Sequence, residues 1–254
     1  MGKYDGILLM SDFDGTLSHH RTISQENCDA IRYFQSEGGL FALATGRQPD
    51  WIEQWKEFVL PNTYSATLNG AVLCDPTGKN RIYDQPVNED FLEVAEEIVK
   101  ACPDYLDFHF HGNCVMQPFL IGEPLDLALI PSPLYKMVFH MPDNLSDEYT
   151  ARIAHLVQPR GYISMRSCAG YIEVQNAKTG KGNAVRRLKE HLGDAAALTV
   201  AVGDYENDID MIKAADIGYA VANAHPALLA VADRVTVKCT EHALAHIIEE
   251  LANR

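Results

Sequence analysis

The 254-residue sequence has no pair of cysteines at the spacing of a zinc or redox motif, and its six cysteines lie far apart. This spacing argues against a cysteine-based metal site and against a disulfide framework. The sequence also lacks an apolar amino-terminal segment behind basic residues, which a secretory signal would provide. We therefore expect reduced thiols and a cytoplasmic setting. No apolar run approaches the length that crosses a membrane.

Positive charge is scarce as well. The chain has 35 acidic residues against 21 lysines and arginines, which gives a formal net charge of −14. A surface of this sign repels nucleic acid and anionic lipid, so we expect no nucleic-acid partner and no membrane partner. A small phosphorylated molecule would need local cations to draw it in against the overall field. The oligomeric state stays open.

The most informative segment covers residues 7–17, where an apolar run ends abruptly at two carboxylates, Asp12 and Asp14. Four aliphatic residues in a row predict a strand covered on both faces, whereas aspartates are poor strand formers that repel each other where water is scarce. In a parallel α/β sheet the pair would emerge at the carboxyl end of its strand, where such sheets bind ligands. A cation should then lie between them. The alternative is that both are turn residues.

Other polar residues follow apolar runs in the same way. Residues 40–44 end at Thr45, Gly46 and Arg47, and residues 198–202 end at the acidic cluster 203–208. Lys181 opens a helical pattern, at the end where the helix dipole disfavours a cation by a few tenths to about 1 kcal/mol. A nearby anion or aspartate cluster would explain that placement. The alternative is a solvated lysine that tolerates it.

Strands and helices alternate in the first and last parts of the chain. Residues 7 to about 73 follow the order strand, helix, strand, helix, strand, which is typical of parallel βαβ units. Ser24 is the predicted cap of the first helix, which glycines 38 and 39 end. The alternation of helices and strands resumes from residue 182. Strands are predicted at 198–202, 217–221 and 235–237, followed by an amphipathic carboxyl-terminal helix over the sheet. We predict an α/β fold with a doubly wound, mainly parallel, Rossmann-like sheet.

The middle of the chain has a different pattern. It predicts two helices at 91–100 and 146–157, a hairpin with strands at 108–111 and 114–116, and further strands at 135–141, 162–166 and 171–174. Such a segment is typical of a separate α+β module inserted into the first domain. The predicted domains are a core formed by residues 1–82 and 178–254 and an inserted domain at 83–177.

The motifs occur in an order that resembles a known family. Asp-x-Asp-Gly-Thr-Leu begins at Asp12, a strand-end threonine follows at Thr45, then Lys181, then Gly-Asp-x-x-Asn-Asp ending at Asp208. This pattern resembles the haloacid dehalogenase superfamily of phosphohydrolases, specifically its Cof-type branch, over essentially the whole chain. In that branch a C2-type α+β cap is inserted after the strand-end threonine, and the insertion here matches it in order and size.

The resemblance implies a Mg²⁺-dependent phosphatase of small phosphorylated metabolites, with sugar phosphates as the leading class. It implies that Asp12 forms an aspartyl phosphate and that Asp14 protonates the leaving oxygen and then activates water. Thr45 and Lys181 would complete the catalytic set by holding the phosphoryl group. The implied metal residues are Asp12, Asp14 through its carbonyl, Asp204, Asn207 and Asp208. The implied substrate-binding residues are Thr45, Gly46, Arg47, Asn69 and Lys181.

Several alternatives stay open on the sequence. A phosphomutase would use the same aspartyl phosphate but return the phosphoryl group to substrate, and a phosphoacceptor signalling module combines similar residues on a doubly wound sheet. Asp208 could simply cap the helix that follows it, and Arg47 and Asn69 could serve turns. His109 and His111 share one strand face in the predicted cap. They could contact substrate or a metal, but two histidines make an incomplete zinc site, so a packed or solvated role is preferred.

Overall fold

The computed structural model describes residues 2–55, 58, 61–112, 116–120 and 127–253. They fall into two compact units, Met1–Tyr83 with Gly180–Arg254, and Asp84–Thr179. The strands are β1 (Ile7–Ser11), β2 (Leu40–Leu43), β3 (Ser65–Thr67), β4 (Val72–Cys74), β5 (Arg81–Asp84), β6 (Asp107–Gly112), β7 (Met116–Leu120), β8 (Leu134–His140), β9 (Tyr162–Cys168), β10 (Tyr171–Asn176), β11 (Leu198–Gly203), β12 (Ile217–Ala220) and β13 (Arg234–Val235). The α-helices are α1 (Gln25–Ser36), α2 (Phe91–Ala101), α3 (Ser146–Val157), α4 (Lys181–Leu192), α5 (Ile209–Ala214), α6 (Pro226–Leu229) and α7 (Ala243–Ala252).

A five-stranded parallel sheet in the order β13-β12-β11-β1-β2 forms the centre of the first unit. Strand β1 pairs on both sides, and its residues Leu8, Leu9 and Met10 are fully buried. Both faces of the strand are covered and neither contacts water, which explains its continuous apolar run. Because the strands are parallel, the residues that follow β1, β2 and β11 meet at one edge. The predicted α/β class is confirmed.

Helices pack against this sheet in pairs, α1 with α7 and α4 with α5. Helix α1 begins where predicted, because the Ser24 side chain accepts a hydrogen bond from the backbone N–H of Asn27 at 3.3 Å. Gly38 follows the helix with φ of +89°, a conformation that side chains with a Cβ rarely adopt. The predicted apolar stripe of α7 is buried, with Leu244 and Ile247 fully so. None of the helices in the described ranges is both long and apolar enough to span a membrane.

The last predicted strand of the first unit is longer than the strand that the structure contains. The prediction for 235–237 placed three residues in the strand, whereas β13 contains only Arg234 and Val235. The chain leaves regular pairing there, although Thr236 still donates its N–H to the Ala220 carbonyl at 2.9 Å. β13 is an edge strand and pairs with β12 on one side, so fewer backbone hydrogen bonds hold its conformation.

The second unit contains an antiparallel sheet in the order β7-β6-β8-β10-β9 with the helices α2 and α3. Along β6, Phe108 and Phe110 are buried in the core while the alternating His109 and His111 are only partly buried. This two-residue period is what a sheet with one covered face requires. Helix α3 has the predicted bounds. The predicted strand 114–116 begins with Cys114 and Val115, which lie outside the described residues, and the described strand starts at Met116.

Candidate active site

The ends of the central strands bring the first acidic motif, the lysine and the second acidic motif together. Asp12 follows β1 directly, Asp204 follows β11, and Lys181 is the first residue of α4. The Lys181 Nζ donates hydrogen bonds of 2.6 Å to Asp12 Oδ1 and of 2.6 Å to Asp208 Oδ1. Of these three side chains only Asp12 is exposed at all, by 9%. The solvated alternative for Lys181 is therefore wrong.

Two opposing effects act on the Lys181 ammonium group. Burial lowers the pKa of Lys181, and the charges and hydrogen bonds of Asp12 and Asp208 more than reverse this, so its pKa lies above the ordinary value. The side chain therefore stays cationic. A cation interacts unfavourably with the dipole at a helix amino terminus, and these two carboxylates offset that interaction.

Carboxylate charge exceeds the charge that Lys181 supplies. Asp12, Asp204 and Asp208 each offer an oxygen within 4.8 Å of the others. Burial raises the pKa of Asp12, the Lys181 charge opposes that rise and the Asp208 charge adds to it, and the pKa is raised to about 7. Burial and then the Asp12 charge raise the pKa of Asp204 to about 9. Charged carboxylates so close together in a dry site need a further cation.

The donor set fits a divalent cation. Asp12 Oδ2 is buried and has no hydrogen-bond partner among the described residues, so one oxygen of the cluster is open to a ligand. An all-oxygen set of carboxylates suits a hard cation. Asp208 differs from the other two because its Oδ2 accepts the backbone N–H groups of Asp204 and Tyr205, at 3.0 and 3.2 Å. It fixes the loop that carries Asp204.

The glycine after Asp14 brings the first motif against the second. Gly15 has φ of +85°, and a Cβ added there would lie 2.3 Å from Asp204 Oδ2. The next residue, Thr16, is fully buried and donates its hydroxyl to Asp204 Oδ1 at 3.2 Å. Sequence reasoning did not single out Thr16 as a site residue. Its place inside the Asp-x-Asp-Gly-Thr motif was the available signal.

Asp14 points to a partner that the sequence did not predict. Arg47 donates from Nε to Asp14 Oδ2 at 2.8 Å and from Nη2 to Asp14 Oδ1 at 2.7 Å, a two-point pair. The Asp14 side chain is 51% exposed and that of Arg47 is 31% exposed. Arg47 thus contacts the residue expected to act as acid and base, and both carboxylate oxygens are engaged.

The remaining predicted residues border this site. Thr45 is almost fully buried, and its Oγ1 accepts the backbone N–H of Arg47 at 3.2 Å across Gly46. Asn69 joins two segments through its backbone, since its N–H donates to the Thr45 carbonyl and its carbonyl accepts from Gly180, both at 2.9 Å. Its side chain accepts a longer contact of 3.4 Å from Asn207 Nδ2. The Asn69 backbone contacts were not foreseen.

The two histidines of the second unit form no comparable centre. His109 Nε2 lies 2.8 Å from Asp107 Oδ1. The His111 ring is largely buried, and burial, together with the Lys136 charge, lowers its pKa to about 2, so it is neutral. Within the part of the chain that the structure describes, Asp12, Asp204 and Asp208 are the only group of three side chains placed to hold a metal.

A parallel sheet with clustered carboxylates and a buried lysine at its carboxyl edge defines an α/β enzyme that acts on an anionic group. A family model described as haloacid dehalogenase-like hydrolase matches residues 9–116 and 123–248. The chain belongs to this family, as its motifs predicted.

Known proteins agree with this assignment. A phosphoglycolate phosphatase of Staphylothermus marinus is 37% identical over 246 residues, which cover 96% of each chain. The phosphatase YwpJ of Bacillus subtilis is 26% identical over 292 residues, which cover 96% of this chain and 99% of its own. A solved haloacid dehalogenase-like hydrolase of B. subtilis shares the fold with a TM-score of 0.80 at 22% identity, covering 96% and 99% of the two chains. The predicted enzyme class, a phosphoric monoester hydrolase, is confirmed.

Proposed function

We propose that this protein is a Mg²⁺-dependent phosphatase that forms an aspartyl phosphate on Asp12. The observation that carries the proposal is the Asp12 carboxylate itself. One of its oxygens is held by Lys181 at 2.6 Å and the other is buried with no described hydrogen-bond partner. A carboxylate whose first oxygen is fixed and whose second is open suits a nucleophile that attacks in a defined direction.

The proposed reaction has two steps. In the first, a carboxylate oxygen of Asp12 forms a bond to phosphorus while the bond to the leaving oxygen breaks and its electron pair goes to that oxygen. Asp14 supplies the proton that the leaving oxygen needs. In the second step water attacks phosphorus, Asp14 takes a proton from it, and the bond to Asp12 breaks. Asp12 and Asp14 return to their starting states, and inorganic phosphate leaves.

Mg²⁺ would neutralise charge on the phosphoryl group and on Asp12, which reduces the repulsion between two anions. The residues present fit this ion, since it prefers oxygen ligands and takes only one or two carboxylates. We assign Asp12, Asp204 and the Asp14 carbonyl as its ligands. Asp208 and Asn207 would lie beside the ion, and Asp208 holds Lys181 and the Asp204 loop in place.

Other residues at the strand ends would bind the phosphoryl group. The Thr45 hydroxyl can donate to a phosphoryl oxygen, because its observed contact with the Arg47 N–H uses it only as an acceptor. Lys181 stays cationic and faces the nucleophile. Gly46, Arg47 and Asn69 lie beside Thr45 and complete the proposed phosphoryl-binding set. Lys181 and Arg47 supply the local positive charge that attracts a phosphorylated substrate, which a chain with net charge −14 does not attract as a whole.

We propose small phosphorylated metabolites as substrates, with sugar phosphates as the first class to test. A relative that is 37% identical is named for phosphoglycolate, a small phosphorylated acid, which supports a compact substrate. We also propose that the second unit, predicted as domain 83–177, is a cap domain that selects the leaving group. The core domain would then comprise residues 1–82 and 178–254.

Phosphate release from a panel of monoesters, with Mg²⁺ or with EDTA, tests the proposal. The panel contains glucose 6-phosphate, ribose 5-phosphate, 2-phosphoglycolate and p-nitrophenyl phosphate. We expect Mg²⁺-dependent release by the wild type and a loss of at least about 100-fold in Asp12→Asn, which removes the nucleophile with little change in size. The matched control is Asp29→Asn, since Asp29 lies on α1 and is 63% exposed.

Each other outcome has a defined meaning. Activity retained in Asp12→Asn would place the nucleophile elsewhere and refute the proposal. An isomerised ester with little free phosphate would indicate a phosphomutase. A stable phosphoprotein without turnover would indicate a signalling module.

A further inference from the structure

The Arg47 guanidinium group is held on its face as well as on its edge. Its edge makes the two-point pair with Asp14, and its Cζ lies 4.4 Å from the centroid of the Trp51 ring. A guanidinium over an indole face is attracted by the ring quadrupole, and tryptophan is the strongest partner for this contact. Trp51 therefore restricts the plane in which Arg47 meets Asp14.

Trp51 is itself firmly placed. It lies in the 3-10 helix Pro49–Trp55 and is 8% exposed. Its ring packs edge to face on Phe13, with centroids 4.3 Å apart and planes at 87°. Phe13 is fully buried and is the residue between Asp12 and Asp14. One indole thus contacts both the side chain that lies between the two aspartates in sequence and the arginine that holds the second of them.

We propose that Trp51 is a positioning residue that acts through Arg47 on Asp14. The two-point pair fixes Asp14 relative to Arg47, but both side chains are partly exposed, so the direction of the pair depends on what holds Arg47. The Trp51 ring fixes Arg47, and Arg47 in turn fixes the direction of the Asp14 carboxylate. The inference rests on the proposed function, in which Asp14 is the acid.

Leaving-group chemistry separates this role from a purely structural one. An alkoxide is a poor leaving group and needs the proton from Asp14 as the bond to phosphorus breaks, whereas p-nitrophenolate leaves without it. The value of kcat/KM reports the steps up to the first irreversible one, here the transfer to Asp12. Loss of Asp14 positioning should therefore lower kcat/KM for alkyl esters selectively.

The experiment compares kcat/KM for p-nitrophenyl phosphate with that for the best alkyl ester of the panel. We expect Trp51→Leu to lower the alkyl value about tenfold and the aryl value less than about threefold, a part of what general acid catalysis contributes. Trp51→Phe, which keeps an aromatic face, should restore most of the loss. Trp51→Met also removes the ring but puts a flexible apolar chain in its place, and it provides the test if Trp51→Leu does not fold, as judged by thermal unfolding.

The matched control is Trp55→Leu. Trp55 belongs to the same 3-10 helix and packs on Phe13 with centroids 4.9 Å apart, but among the described contacts the ring over Arg47 belongs to Trp51. Trp55→Leu should leave the alkyl-to-aryl ratio unchanged. The inference is overturned if Trp51→Leu leaves that ratio unchanged or if Trp55→Leu shifts it equally. If the wild type hydrolyses neither ester, the proposed function fails instead.

Discussion

The Lys181 Nζ lies 2.6 Å from Asp12 Oδ1, with the lysine side chain fully buried and the aspartate 9% exposed. Removal of two charges from water can cost more free energy than their mutual attraction returns, so such a contact is weak evidence that the pair serves stability alone. It holds the proposed nucleophile in one orientation and keeps a cation where phosphate charge would arrive. The pair is separated by 169 residues in sequence and depends on the parallel sheet that brings its ends together.

Replacement of this lysine should affect activity and stability together. Lys181→Met leaves Asp12 and Asp208 buried without their cation, which we expect to cost about 3–5 kcal/mol of unfolding free energy and at least about 100-fold in kcat/KM. Urea unfolding in EDTA and phosphate release measure the two effects.

Lys189→Met is the control for the lysine prediction. Lys189 lies on the same helix and pairs with Asp216 at 2.6 Å, but it is 40% exposed. Its loss should cost less than about 1 kcal/mol and leave activity unchanged. Equal losses in both variants would contradict the special role of Lys181.

The glycine after Asp14 should be required for metal binding. Gly15→Ala adds a Cβ that would lie 2.3 Å from Asp204 Oδ2, so that carboxylate must move. We expect at least about a tenfold weaker affinity for Mg²⁺, measured by titration calorimetry, since a displaced ligand loses its geometry.

Gly193→Ala controls for backbone strain, because Gly193 also has positive φ, +54°, while its added Cβ meets nothing within 4 Å. Both variants bear the strain of an alanine at positive φ, about 1–3 kcal/mol. Unchanged Mg²⁺ affinity in Gly15→Ala would show that Asp204 is not the ligand we assign.

Without metal, the raised pKa of Asp204, about 9, should make the protein less stable as pH rises. Its carboxyl holds a proton in the folded state that the unfolded chain releases near the ordinary aspartate pKa of 3.8, so stability falls with pH between these two pKa values. In EDTA between about pH 5 and pH 8, the melting temperature should therefore fall more steeply for the wild type than for Asp204→Asn.

Addition of Mg²⁺ at pH 8 should restore the stability that the wild type loses as pH rises. The ion neutralises the carboxylate charge and binds only the folded state, which raises the melting temperature of the wild type. Asp204→Asn should gain much less. Equal gains in the two proteins, or parallel pH profiles in EDTA, would contradict the assignment of Asp204.

The sequence predicted the elements whose physical signals are local. The four-residue apolar run of β1, the Ser24 cap and the period of α3 all depend on neighbours in the chain. The meeting of Asp12 and Asp204 also followed, because carboxyl ends of parallel strands share an edge.

Contacts between side chains distant in sequence did not follow. The pair of Arg47 with Asp14 spans 33 residues and depends on the rotamers of both. The Trp51 stack on Arg47 depends on the path of a 3-10 helix that no periodicity marks. Asn69 contributes through its backbone, in a left-handed conformation with φ of +52°, which residue type alone does not reveal.

Formation of the covalent intermediate tests the central claim most directly. Asp14→Asn lacks the base for the second step, while p-nitrophenyl phosphate does not need the acid for the first. An acid quench after mixing with Mg²⁺, followed by peptide mass spectrometry, should find one phosphoryl group on Asp12 and one equivalent of nitrophenol released in a burst. Nitrophenol release with Asp12 unmodified would contradict the account.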